Sequence, residues 1–173
     1  MERNKLIFRT ATSADVDAIW LILQEAISRR KADGSTQWQD GYPNLDTVIE
    51  DIAQGWGFVL DNEGQVAVYC ALILNNEPAY EAIEGKWLSN EDFFVVHRVA
   101  VAAKFTGKGF ATAIFSRIED YAKEHKVFSI KVDTNFDNPA MLKILENNGY
   151  VYCGQVYFRG SARKAFEKRL TGH

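Results

Sequence analysis

Lys104-Phe105-Thr106-Gly107-Lys108-Gly109 stands between a valine-rich apolar run, residues 93–101, and a segment in which Ala111, Ile114, Phe115, Ile118 and Ala122 recur at helical spacing. The run is broken only by His97 and Arg98 and reads as a central strand; the spacing after it predicts a helix over 109–125. A further strand is expected over 129–134, so 93–134 reads as a right-handed βαβ unit with parallel strands. A glycine turn that opens a helix has little side-chain bulk, and its backbone N–H groups can converge on a diphosphate. Gly107 and Gly109 meet that demand. Lys104 and Lys108 add positive charge, and no acidic residue occurs between Phe93 and Ile118. Taken alone, the six residues fit equally well a loop whose glycines merely permit tight packing. A dinucleotide fingerprint starting at Gly107 fits poorly: Asp133 lies 24 residues beyond Gly109, but the third glycine position is Thr112, and the unit follows a hairpin.

Toward the C-terminus, Asn138 is a good N-cap, Pro139 suits the first helical position and Gly149 sits just past the helix end. Strands over 150–158 and 165–170 then finish the chain around a Gly160-Ser161 turn. Toward the N-terminus, 57–61 and 65–74 flank Asn62-Glu63-Gly64 and predict an antiparallel hairpin. Before it come a helix from Asn44 or Asp46 to Gln54, stopped by Gly55, and a longer helix over 13–31 capped by Ser13. Val16, Ile19, Trp20, Leu23 and Ile27 form the buried face of that longer helix, and a short strand over 5–9 precedes it. Residues 75–91 show no steady period, and the turn-rich stretch 34–43 carries two large aromatics, Trp38 and Tyr42.

The chain has 173 residues, 47% apolar and 25% charged, which predicts one globular domain over 1–173 with a sizeable core. Twenty Lys and Arg against 23 Asp and Glu, a net charge of -3, argue against nucleic acid or an anionic membrane surface as partner. Cys70 and Cys153 lie in apolar runs without metal-ligand spacing, so buried thiols and no metal are expected. The polar start Met1-Glu2-Arg3-Asn4-Lys5 and the lack of a long apolar run predict a cytoplasmic protein.

The order β-α-α-β-β-β-α-β-α-β-β, with the glycine turn between the fourth strand and third helix, resembles the GNAT superfamily of N-acetyltransferases. The resemblance covers nearly the whole chain and implies an α/β domain with a mixed sheet of about seven strands and four helices. The family turn has the form Gln/Arg-x-x-Gly-x-Gly/Ala, and Lys104 stands here in the Gln/Arg place. The resemblance implies acetyl-CoA as cofactor, held by Lys104, Phe105, Thr106, Gly107, Lys108, Gly109, Phe110, Ala111 and Thr112 at its diphosphate. It also implies backbone contacts from Val99, Ala100 and Val101 to the pantetheine arm, with Asn135, Asn138, Met141 and Lys143 beside it. Asn138 can cap its helix at the same time.

Transfer to an amine needs the neutral base form, because an ammonium has no lone pair. His97 is the candidate base, titrating near neutrality and sharing a strand face with Val95, Val99 and Val101. The competing role is a core histidine bonded to backbone. Family members often place a tyrosine acid four residues before the helix-ending glycine; Leu145 stands there, leaving Tyr157, a water or an unaided thiolate. Trp38, Tyr42, Tyr80 and Trp87 are candidates to line an acceptor cleft, although loop aromatics commonly fold onto the core. The expected acceptor is a small-molecule or peptide amine, and a homodimer is in keeping with this kind of fold. Leu145 also leaves open an acyl-CoA-binding module without turnover.

Overall fold

The computed structural model describes residues 6–171. Lys5, where the first strand was expected to start, and the rest of the polar opening lie outside the described residues. Among the described residues the chain forms eight strands and five α-helices: β1 (Leu6–Thr10), α1 (Val16–Ala32), α2 (Leu45–Ala53), β2 (Gly57–Asn62), β3 (Gln65–Leu74), α3 (Pro78–Glu81), β4 (Glu84–Gly85), β5 (Phe94–Val101), α4 (Phe110–Glu124), β6 (Ser129–Asn135), α5 (Pro139–Asn147), β7 (Val151–Phe158) and β8 (Ser161–Arg169). The class is the expected mixed α/β one. The count exceeds the expected seven and four because α3 and β4 lie in the stretch without periodicity. They are too short, four residues and two, to leave a periodic trace. The chain divides into two compact units, residues 6–72 with 98–115 and residues 73–97 with 116–171.

The first unit holds the antiparallel order β1-β2-β3. Glu63 and Gly64, at φ 53° and 88°, make the β2–β3 turn, and Asp61 Oδ1 accepts the Gly64 N–H at 2.8 Å. On α1 the buried positions are Ile19, Ile22, Leu23 and Ala26, with Val16, Trp20 and Ile27 half-covered at the margin. These pack with Val48, Val59, Tyr69 and Ala100, each large side chain contributing about 1.5–3 kcal/mol by leaving water. Asp15, not the expected Ser13, is the N-cap of α1, and Thr12 caps the 3-10 turn ahead of it. Asp15 accepts the Thr12 N–H at 2.8 Å, and residues Ser13–Asp15 form a 3-10 turn ahead of α1.

The second unit runs β5-β6-β8-β7-β4 through the first half of β5. β5 and β6 are parallel, as read from the sequence, and pair from Phe94↔Ile130 to Val96↔Val132; every other pairing is antiparallel. Tyr80, Val95, Val156 and Ala165 make its core, flanked by Ile83, Trp87, Phe93 and Phe158. Glu167 organises the aperiodic segment. Its buried carboxylate accepts from Leu88 N (2.7 Å), Ser89 Oγ (2.7 Å) and Ser129 Oγ (2.6 Å), so β8 supplies the order that the segment's own residues lack.

Candidate active site

In the first unit the glycine turn lies exposed between the end of β5 and the start of α4. A 3-10 turn, Ala103–Phe105, leads into Gly107 and Gly109 at φ 75° and 80°, and α4 starts at Phe110. A side-chain-bearing residue would pay about 1–2 kcal/mol for that left-handed backbone. A Cβ added at either glycine would meet nothing within 4 Å, so the turn faces open space. Thr106 N–H bonds Ala103 O at 3.3 Å and Ala113 N–H bonds Gly109 O at 3.0 Å. Between them, the N–H groups of residues 107–112 find no acceptor among the described residues. Lys104 and Lys108 are exposed beside these six donors, and Phe105 and Phe110 brace the turn edge to face at 5.3 Å. Glu25 accepts the Ala103 N–H at 2.8 Å, and Arg29 Nη2 donates to Val101 O at 3.2 Å, taking part of the strand backbone expected to serve the cofactor.

Trp38 and Tyr42 belong to the packing of this unit. Trp38 is 7% exposed, with the Arg30 guanidinium 3.9 Å over its ring; burial lowers the Arg30 pKa to about 10. Arg98, at φ 57° within β5, donates to the Tyr42 hydroxyl and grips Asp51 with Nε at 2.9 Å and Nη2 at 2.6 Å. Tyr69 donates to the same carboxylate at 2.6 Å. Burial first, and then Asp51, push the Tyr69 hydroxyl well up, so it stays a donor.

In the second unit His97 Nε2 meets Glu77 Oε2 at 2.8 Å. Tyr80, in one core cluster with Val95, has its ring 6.4 Å from His97, and Arg98 next in the strand has a positive φ. Phe158 approaches His97 edge to face at 6.2 Å. Tyr80 donates to Asp133 Oδ1 at 2.6 Å, and Arg163 Nη1 lies 3.6 Å from the other oxygen. Burial raises the Asp133 carboxyl, opposed by His97, Tyr80 and Arg163. Trp87 Nε1 donates to Tyr80 O at 2.9 Å, and Lys131 Nζ sits 4.4 Å over its indole and 3.9 Å over Phe93. Burial lowers the Lys131 pKa against the pull of Glu167.

Asn138 caps α5, its side chain accepting the Met141 N–H at 3.2 Å, while Asn135 Nδ2 donates to Asp137 at 2.6 Å; Met141 is half-buried and Lys143 exposed. Leu145 is fully buried. Tyr157 donates to Glu84 at 2.8 Å and, as the strand neighbour of Phe158, points to the face away from His97. The sequence reading missed Glu77, Asp51 and Arg163. For Glu77 a signal existed: Glu77-Pro78 is an N-cap followed by proline at the first helical position. No described helix is long and apolar enough to cross a membrane, and no group of three His, Cys, Asp or Glu among the described residues is arranged to hold a metal ion.

Comparison with known proteins bears on the whole arrangement. Among curated proteins, none matches the chain. A GNAT family acetyltransferase from Streptococcus agalactiae is similar at 35% identity, with a TM-score of 0.89 over 99% of both chains. A GNAT family acetyltransferase from Listeria monocytogenes shares the fold at 20% identity, with a TM-score of 0.77 over 95% of each chain. The Salmonella typhimurium protein YncA, solved with its cofactor acetyl-CoA, shares it at 20% identity and a TM-score of 0.68, over 98% of this chain and 96% of its own. The family model described as Acetyltransferase (GNAT) family matches residues 22–150, from within α1 to the end of the α5 turn, and the chain therefore belongs to that family.

Proposed function

We propose that this chain moves the acetyl group of acetyl-CoA to a primary amine, on a small molecule or a peptide, by direct attack. The observation that carries the proposal is the run of six backbone N–H groups at residues 107–112 without an acceptor among the described residues, flanked by Lys104 and Lys108, which suits the charge of a diphosphate. YncA's complex with acetyl-CoA supports the choice of that anion. The cofactor supplies an activated acetyl thioester. Lys104 to Thr112 hold its diphosphate; the backbone of Val99, Ala100 and Val101, with Asn135, Asn138, Met141 and Lys143, serves the pantetheine arm. His97 accepts the amine proton as the N–C bond forms and the C–S bond breaks. Neither Leu145, apolar and buried, nor Tyr157, which donates to Glu84, would supply an acid to a leaving thiolate.

Tyr80 and Trp87 shape the acceptor's surroundings near His97, whereas Trp38 and Tyr42 are held in the packing of the first unit. The 173 residues act as one domain in this reading, supported by a family match that runs through segments of both compact units. A cytoplasmic setting suits the two free buried thiols, Cys70 and Cys153. A homodimer through β7, with Val151, Tyr152 and Tyr157 exposed, completes the proposal and is checked by sedimentation.

The decisive experiment is steady-state kinetics on a panel of amines with the parent and His97→Ala. The expected outcome is a fall in kcat of about 10²- to 10⁴-fold, with acetyl-CoA affinity unchanged. Tight acetyl-CoA binding by a parent that turns over no amine would instead make the chain a binding module.

A further inference from the structure

We infer that Glu77 is a positioning residue for His97, holding the imidazole hydrogen on Nε2 and so presenting the Nδ1 lone pair to the acceptor amine. The inference rests on the reading of His97 as base. A carboxylate oxygen only accepts hydrogen bonds, so the ring nitrogen 2.8 Å from Glu77 Oε2 is the one that carries hydrogen. The neutral ring then has its basic lone pair on Nδ1. That nitrogen has no hydrogen-bond partner among the described residues, and it is not among the polar atoms sealed from solvent without one. When Nδ1 takes the amine proton, the Glu77 carboxylate stabilises the resulting imidazolium, as an acid behind a catalytic histidine does elsewhere.

The local structure holds Glu77 in place. Its other oxygen, Oε1, accepts the Ala79 N–H at 3.2 Å and caps α3, with Pro78 next in the chain. Just upstream, Asn75 clamps the lead-in to β5, the strand bearing His97: Asn75 N–H bonds Phe93 O and Phe93 N–H bonds Asn75 Oδ1, each at 2.9 Å. The other titratable groups around the ring are Tyr80 from α3 and Asp133 from β6, the latter paired with Arg163 of β8. Tyr80 is spent on Asp133, which leaves Glu77 as the carboxylate in direct contact with the imidazole.

Two readouts test this. Histidine-ring ¹⁵N spectra of the full chain need no turnover, so they separate this inference from the assignment of His97 as base. At alkaline pH the parent is expected to show a His97 ring N–H at Nε2, assigned by its loss in His97→Ala, and Glu77→Ala is expected to expose that proton to rapid exchange. A hydrogen on Nδ1, or a signal untouched by Glu77→Ala, overturns the inference. In kinetics, Glu77→Gln is expected to lower kcat about ten- to hundredfold, the range of a hydrogen bond to a charged group. The KM for acetyl-CoA stays unchanged, so the loss falls on kcat. In a His97→Ala background the same substitution is expected to cost nothing more; an additive loss, or Glu77→Gln as active as the parent, overturns the positioning role.

Discussion

A guanidinium inside an apolar strand has to be matched by charge, and Arg98 is matched by Asp51, 47 residues earlier in the chain, with two hydrogen bonds of 2.9 and 2.6 Å. Asp51 is 1% exposed and also takes the Tyr69 hydroxyl, so removing its carboxylate strands a buried cation and a buried donor together. Asp51→Ala is expected to cost about 3–5 kcal/mol, read as a shift in urea midpoint; a loss below about 1 kcal/mol would mean that the network contributes little. The neighbouring His97 meets a half-buried partner, Glu77, so a single step along the strand separates the charge matched by Asp51 from the base proposed above.

Among the elements, the β4–β7 pairing shows how little sequence can decide a contact. Gly85 and Gly154 face each other at φ 143°, and a Cβ on Gly154 would sit 2.2 Å from Glu84 O. Backbone is not a flexible side-chain tip, so the strands would have to part. Gly154→Ala is expected to lower stability by about 1–3 kcal/mol and to speed hydrogen exchange through the β4 region. Unchanged exchange there would show that β4 is held by other means. Glu167 is the reason to expect a local effect, since it anchors Leu88 and Ser89 independently of the glycine pair.

For the whole molecule, the sharpest test is ligand-linked stability. Acetyl-CoA at about 100 times its Kd is expected to stabilise the chain by about 2.7 kcal/mol, a rise of several degrees in Tm, whereas NAD is expected to give none. Replacing Lys104 and Lys108 by alanine shrinks the shift if the turn holds the diphosphate; a shift with NAD would reverse the reading of the turn. The glycine turn, the amphipathic helices, the hairpin and the parallel pair were legible in the chain because each is written in residues a few positions apart: helical spacing along 109–125, Asn138-Pro139 at a helix start, Gly64 in a turn. The candidate base was legible too, as one titratable side chain beside Arg98 in a strand of valines. What those residues bind was not. Glu77 lies 20 residues from His97, Asp133 lies 53 from Tyr80, and Glu167 lies 79 from Leu88. The sequence by itself determined the fold class and the glycine turn, because these rest on local backbone preference. Only the tertiary structure decided which carboxylate serves which partner, and that Trp38 and Tyr42 pack inward, because burial and ion pairing depend on contacts that no local pattern records.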